Sequence, residues 1–352
     1  MSQATLFDRD LIRCYEGVGP RYVCENSPNP WVLRMPDNPS SPTIAEAVDL
    51  LQCGGLLAIP TETVYGLAAD ARNVDAVARI FALKGRPADH PLIVHIADAD
   101  QLDDWATAIP EAARKLAAAF WPGPLTLILK KRADVTDTVT GGQDTVGVRS
   151  PDHPLTLALL RAFGGGLAAP SANRFGRISP TSAAHVRDEF GDAAPPILDG
   201  GPCTVGIEST ILDLSQNPPR ILREGHIRRE QLLPFLPDLQ SGIGTASPRV
   251  SGSLDAHYAP RTPMRMLERE HLIETATDDP RYVLLALDAL PADTRGLSLP
   301  AQPEAYAHGL YAALRELDSG DAACILIEQP PSGPDWLAVN DRIKRALAGA
   351  GV

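Results

Sequence analysis

The sequence predicts an α/β protein in which a large twisted mixed sheet with helices is followed by a smaller α/β domain. Three observations carry that expectation. Apolar strand-like runs alternate with helix-period stretches from about residue 43 to residue 233, the pattern of a sheet covered by helices. The alternation is not strict, so a mixed sheet fits better than a uniform doubly wound one. A break rich in proline and glycine over 234–263 then separates a tail with its own strand and helix patterns. At 352 residues the chain also exceeds what one hydrophobic core usually organises.

The elements follow in order. Residues 1–42 hold Pro20, Pro28, Pro30, Pro36, Pro39 and Pro42 among short polar stretches and read as an irregular extension. From Thr43, the spacing of Ile44, Ala45, Val48 and Leu51 predicts a helix, Gly54 and Gly55 stop it, and Leu56 to Ile59 read as a buried strand. Further strands are expected at 92–96, 125–129, 146–149, 167–169 and 209–214, and helices at 74–83, 111–120, 154–163 and 181–190. The domain is expected to span 43–233, the linker 234–263 and the small domain 264–352. In that last segment 282–287 and 323–327 read as strands, and 301–317 and 335–347 as helices.

Composition removes several classes of function. Hydrophobic residues make up 44% and charged residues 22%, and no apolar run approaches the ~18 to 20 residues that span a bilayer. The first ten residues lack the basic and apolar regions of a secretory signal, so the cytoplasm is the expected location. Cys14, Cys24, Cys53, Cys203 and Cys324 are scattered without a C-x-x-C pair or neighbouring histidines, which argues against a disulfide framework or a zinc site. No metal ligands are expected. A net charge of −12 disfavours broad neutralisation of nucleic-acid phosphates but permits a local basic pocket.

Chemistry-bearing residues gather in five motifs. PTETVYGLAADA places Thr61, Glu62 and Thr63 just after the strand ending at Ile59, where short hydroxyls can orient a small polar substrate; a turn leading into helix capping explains the same residues. KGRPADHPLIVHI sets Lys84 and Arg86 two residues apart at the end of a helix, with Pro87 stopping it and His95 at or after the next strand. Two cations there suit a polyphosphate, and a solvated helix terminus suits them equally. GLAAPSANRFGRISPTS presents Ser171, Asn173 and Ser179 in a loop that opens onto a helix, a sensible anion cradle built from ordinary loop residues. GIESTILD and ILREG read individually as strands with hydroxyls or a surface Arg-Glu ion pair at one end. Neither a P-loop nor a G-x-G-x-x-G fingerprint follows any strand, so a nucleotide site here must be of another type.

In combination, PTETVYGL, KGRP with PLIVHI, WPGPLTLIL, VGVRSPDHP, APSAN, SPTS, GIESTILD and ILREG stand in an order and spacing that resemble the YrdC-like threonylcarbamoyl-AMP synthases from about Thr43 to Leu233. The linker, with its SGSLDAHYAPRTP, and the tail resemble the long two-domain form of that family. The resemblance implies a YrdC-like N-terminal sheet and a smaller Rossmann-like C-terminal α/β domain. It implies an enzyme that joins L-threonine, bicarbonate and ATP into threonylcarbamoyl-adenylate, with Mg²⁺ on the nucleotide and hand-over of product to a tRNA-modifying transferase complex. Threonine contacts are implied for Thr63, His95, Arg149 and Ser209, with Thr61 and Thr210 close by. ATP contacts are implied for Lys84, Arg86, Ser171, Asn173, Ser179 and Arg223, the first two acting as catalytic cations, with Tyr258 closing over the nucleotide. Two positions depart from the pattern: His90, counted among the implied ATP contacts, stands where relatives often carry Asn, and Arg174-Phe175-Gly176 where they often read a residue, Ser and Gly.

Two other readings stay open at this point. A non-catalytic RNA-binding module would use the cationic cleft for docking, against the acidic charge and the lack of an aromatic stacking stripe; tRNA binding is therefore expected to be weak at most. Carbamoyl transfer for maturation of another enzyme would need acylphosphatase and zinc-finger-like segments that this chain lacks.

Overall fold

Thr43 starts the first helix, α1 (Ile44–Gln52), through a capping box: its hydroxyl accepts from the Glu46 amide, and the Glu46 carboxylate accepts from the Thr43 amide. The computed structural model describes residues 41–244, 247–252 and 254–351. The extension expected over 1–42 therefore lies almost wholly outside the described residues.

Nine strands form the larger sheet: β1 (Leu57–Ile59), β2 (Gly66–Asp70), β3 (Ile93–His95), β4 (Leu125–Lys130), β5 (Thr145–Arg149), β6 (Leu167–Ala168), β7 (Thr210–Asp213), β8 (Arg220–Arg223) and β9 (Gln240–Ser241). Their spatial order is β1-β2-β6-β3-β5-β4-β7-β8-β9. Pairing is mixed as expected, with β3/β5 and β4/β7 parallel and β1/β2, β2/β6, β4/β5 and β7/β8 antiparallel. Period-2 alternation divides the core at the sheet. Ala58, Leu67 and Ala69 face one side, with Val77, Ile80 and Phe81 of α2 (Val74–Lys84) and Leu116 of α3 (Glu111–Phe120). Leu57, Ile59 and Ala68 face the other, against α1 and Leu159 and Leu160 of α5 (Pro154–Phe163), which follows the short α4 (Asp137–Thr140).

After α6 (Ala183–Phe190) and α7 (Arg229–Leu232), a second sheet is built from β10 (Met264–Leu267), β11 (Tyr282–Leu287), β12 (Gly296–Leu299) and β13 (Cys324–Glu328), in the order β10-β13-β11-β12. Every neighbouring pair in it is parallel. Its helices are α8 (Arg269–Ala276), α9 (Pro303–Asp318) and α10 (Leu337–Gly349). Its main core joins Ile325, Ile327, Leu310, Tyr311 and Ile343 to Val64, Ile178, Ile207 and Tyr258 from earlier in the chain, so the two sheets share buried surface. Among the described residues no helix is long and apolar enough to cross a membrane.

Periodicity alone does not predict β2, β10, β12 or α8. β2 reads GLAAD and β12 reads GLSL, without the β-branched or aromatic residues that mark strands, so sheet pairing rather than local preference fixes them.

Candidate active site

The cation pair is set by how α2 ends. Lys84 is its last residue, Gly85 turns left-handed at φ 63°, and the Arg86 amide reaches back to the Phe81 carbonyl, a glycine-dependent terminus that carries Arg86 around onto the sheet side. Both cations are therefore buried, which a solvated helix end is not. The Lys84 ammonium donates to the carbonyls of Ser171 and Asn173. Arg86 donates through Nη2 to the Pro91 carbonyl at 2.9 Å and the Ser251 hydroxyl at 3.1 Å.

Strand ends supply the opposite wall. Parallel pairing of β3 and β5 sets His95 beside Arg149. Arg149 Nη1 donates to Thr63 Oγ1 at 3.0 Å, Nε donates to the Gly123 carbonyl at 3.2 Å, and Nη2 lies 2.6 Å from Glu62 Oε1. That last contact is close but off-axis, leaving both atoms without an aligned hydrogen bond. Thr61 and Thr63 share a hydroxyl contact of 2.9 Å. Further along the wall Ser209 Oγ lies 2.7 Å from Thr126 Oγ1 and accepts from Arg223 Nη2 at 3.1 Å.

The linker closes the top. Arg223 Nη1 donates to the Ser251 carbonyl at 2.8 Å, and the Ala259 amide to the Gly176 carbonyl at 2.9 Å. Between these ties Tyr258 adopts φ 62° and is 1% exposed. Gly252, at φ 77°, passes so near that an added Cβ would lie 2.2 Å from the Tyr258 hydroxyl. The cleft these walls bound is partly open to solvent and has about 530 Å³ of empty space, the open part included.

Its electrostatics are unbalanced. Among the described residues no carboxylate pairs within 4 Å with Lys84, Arg86 or Arg223. Burial, then the Arg86 cation, holds the Lys84 ammonium well below the ordinary lysine range. Burial brings Arg86 down to about 10. His95 falls to about 3 through burial and then the Arg149 charge, so its ring is neutral near pH 7. Burial raises Tyr258 to about 12, keeping its phenol protonated. Arg86 Nε, His95 Nδ1, Asn173 Oδ1, His257 Nδ1 and the Tyr258 hydroxyl are all buried without a hydrogen-bond partner. Buried cations and orphaned polar atoms are costly unless something completes them, and an anionic, hydrogen-bonding guest does both.

Of the residues expected at the site, Thr61, Thr63, Arg86, His95, Arg149, Ser171, Ser209, Arg223 and Tyr258 line the cleft. Lys84 and Asn173 lie behind the Ser171 wall. Three expectations are not met. The Thr210 hydroxyl donates to the Ile227 carbonyl and is committed outside the cleft. Ser179 donates to Glu208 Oε1 at 2.6 Å rather than facing the cleft directly. His90 packs edge-on against Phe175, outside the lining. The surface ion pair expected of Arg223 and Glu224 is also absent: Arg223 is buried on Ser209 and Ser251, while the Glu224 carbonyl accepts from Arg342.

Glu208, Ser251 and His257 line the cleft although motif reading gives them no role, and Glu208 is the charged one among them. Burial alone would push its carboxyl up, but Arg342, Arg223 and the Ser179 bond bring it down to about 2, so it is ionised. The available signal was its place between Ile207 and the strand-like Ile211 and Leu212, where a carboxylate implies a buried partner. Among the described residues no group of three histidine, cysteine, aspartate or glutamate side chains is arranged to hold a metal.

Comparison with known proteins identifies the family and the fold. A family model for Sua5, YciO and YrdC proteins, described as telomere recombination, matches residues 49–225. A second, described as the C-terminal domain of threonylcarbamoyl-AMP synthase, matches 227–348. The threonylcarbamoyl-AMP synthase of Bacillus subtilis is 40% identical over 337 residues, covering 91% of this chain and 97% of the relative. That of Pyrococcus abyssi is 39% identical over 315 residues, covering 85% and 92%. The crystal structure of P. abyssi Sua5 complexed with L-threonine superposes with a TM-score of 0.81 at 38% identity, covering 87% of this chain and 94% of the other. A variant of the same archaeal protein, with adjacent histidine and tyrosine replaced by alanine, superposes equally well at a TM-score of 0.81.

Proposed function

The chain belongs to the family of threonylcarbamoyl-AMP synthases, and on that premise we propose how its cleft divides the work between an amino-acid end and a nucleotide end. The enzyme forms threonylcarbamoyl-AMP and pyrophosphate from L-threonine, bicarbonate or CO₂, and ATP, supplying the activated group for tRNA N6-threonylcarbamoyladenosine. The observation that carries the division is the placement of charge. Lys84, Arg86 and Arg223 are buried without carboxylate partners, while the Thr61 to Thr63 turn, His95 and Arg149 form a separate hydroxyl-lined wall.

In this reading Arg149 receives threonine's carboxylate through the nitrogen that lacks an aligned partner, and Thr61, Thr63, His95 and Ser209 orient the rest. Neutral His95 acts as a hydrogen-bonding group, not a cation. The neutral amino group adds to CO₂ with loss of a proton, or to bicarbonate with loss of water, to give an N-carboxylate; one of its oxygens bonds to the α-phosphorus of ATP as the bond to the pyrophosphate oxygen breaks. Two anions must approach each other. Lys84, Arg86 and Arg223 lower that barrier by neutralising charge in a largely buried site, with Ser171 and Asn173 shaping the phosphate side and Tyr258 covering it. Ser179 acts through Glu208, Thr210 supports the strand, and His90 borders the Phe175 side of the site without entering it.

Mg²⁺ belongs to this reading as the companion of ATP's phosphates. Cations, not carboxylate clusters, line the nucleotide end, so the chain's own residues do not fit a protein-held metal and no step is assigned to one. The division into a catalytic domain (43–233), a linker that completes the site (234–263) and a small domain (264–352) is part of the same proposal, as are a cytoplasmic location, product hand-over to a transferase complex and weak tRNA affinity at most. The net charge of −12 supports the last. The test is pyrophosphate release from MgATP: it is expected only with threonine and bicarbonate together, and release without threonine would sink the reading.

A further inference from the structure

We propose that Arg342 and Tyr311, both in the small C-terminal domain, are positioning residues for the synthase reaction, clamping Glu208 and the Tyr258 ring and thereby setting the nucleotide end of the cleft. The proposal rests on the division of the cleft given above and deepens it.

The Arg342 side chain is wholly buried, yet every polar edge of it is used. Nε donates to Glu208 Oε2 at 2.8 Å, Nη2 to the Glu224 carbonyl at 3.0 Å, and Nη1 meets Asp341 at 2.8 Å. The guanidinium carbon also sits 5.4 Å from the centre of the Tyr258 ring. Tyr311 does the same two things from α9: its hydroxyl donates to Glu208 Oε2 at 2.9 Å, and its ring stacks on Tyr258 at 5.6 Å and 30°.

If these side chains served only to join two domains, apolar residues of similar volume would do as well or better, because a buried ion pair rarely stabilises more than the apolar packing it displaces. What charge adds here is direction. Glu208 lines the cleft and its second oxygen accepts from Ser179, in the loop that also carries Ser171 and Asn173. Tyr258 is held in a left-handed backbone conformation that a tyrosine seldom adopts alone, with its hydroxyl unpaired. Contacts from α9 and α10 on the ring over-determine that position, and the adjoining His257 amide is tied to the Arg345 carbonyl of α10.

The test compares the full chain with Arg342→Lys, which keeps the charge but loses the fork, and Tyr311→Phe, which removes one hydroxyl and keeps the stack. Each is expected to raise KM for ATP about tenfold in pyrophosphate release while the Kd for threonine stays within about twofold. Combined with Glu208→Ala, each is expected to add less than about threefold, because the carboxylate on which both side chains act is gone. Fully additive losses in that background would overturn the proposal. So would equal losses of ATP and threonine binding, the signature of general destabilisation, or an unmoved KM for ATP in both variants. Thermal melts accompany each variant; where Arg342→Lys fails to fold, Tyr311→Phe decides the matter. Threonine-independent release by the unmodified chain would fault the functional reading instead, so the two failures are distinguishable.

Discussion

His95 closes β3 in the large sheet and Glu328 closes β13 in the small one; both are buried polar residues at strand ends, and the protein treats them differently. Glu328 Oε2 accepts from Arg269 Nη1 at 2.8 Å and from the Leu287 amide at 2.9 Å. His95 Nδ1 accepts and donates nothing. The contrast extends to the regions around them. Among the described residues the small sheet and its helices leave only the Tyr306 hydroxyl orphaned, whereas the cleft gathers several orphans beside Arg86 and Arg223, two cations without a carboxylate partner. Unspent hydrogen-bonding capacity, more than the shape of either sheet, distinguishes the region that handles substrates from the region that supports it.

Breaking the comparison on the cleft side gives the largest effect. Lys84→Ala and Arg86→Ala are each expected to lower kcat/KM for ATP by about 10² to 10³, as loss of one transition-state donor typically does; steady-state pyrophosphate release checks this. On the supporting side, Leu326→Ala in β13 is expected to cost about 2 to 5 kcal/mol of stability by opening a fully buried site, measured by denaturant unfolding, while KM values of the folded fraction stay unchanged.

A smaller effect sharpens the same contrast through pH. His95 and His257 are both depressed to about 3 by burial, with neighbouring cations adding to it. The unfolded chain takes up their protons near pH 6.5 and the folded chain does not, so stability is fully present above pH 6.5 and falls as pH drops from 6.5 towards 3. Each ring is expected to remove on the order of 2 kcal/mol between pH 7 and pH 5. His95→Gln should flatten that acid limb in melts across the range; an unchanged slope would contradict the assignment. The smallest effect is reserved for Arg269→Ala: its half-exposed guanidinium leaves Glu328 the Leu287 amide, so a loss of at most about 1 kcal/mol and no change in either KM is expected.

How legible these regions were in sequence follows the same division. Lys84 and Arg86 were readable because a Lys-Gly-Arg helix stop is local chemistry, and the strand-end hydroxyls because they abut a strong apolar run. Their burial was not, since the partners are distant: Ser171 and Asn173 for Lys84, 87 and 89 positions away, and Ser251 for Arg86, 165 positions away. Ser209 immediately precedes β7 and Thr210 begins it; consecutive side chains point opposite ways, sending one hydroxyl to the cleft and the other to Ile227, and only register decides which. Arg342 left a trace nobody reads from motifs. It falls three residues after Val339 and beside Ile343 on the buried stripe of α10, where a guanidinium needs a partner supplied by distant sequence.

The clamp formed by α9 and α10 also has a consequence in time. A ribosome releases the chain from its N-terminus, so the sheet with its cations and hydroxyls is complete long before Arg342 emerges. The 84 positions from Tyr258 to Arg342 take roughly 4 to 17 s at ordinary rates of about 5 to 20 residues per second. Through that interval Glu208 waits without its guanidinium, and for the first 53 positions of it Tyr258 waits without the ring of Tyr311. On the proposed reading, a nascent chain folds its larger sheet first and sets the nucleotide end only once α10 has been made.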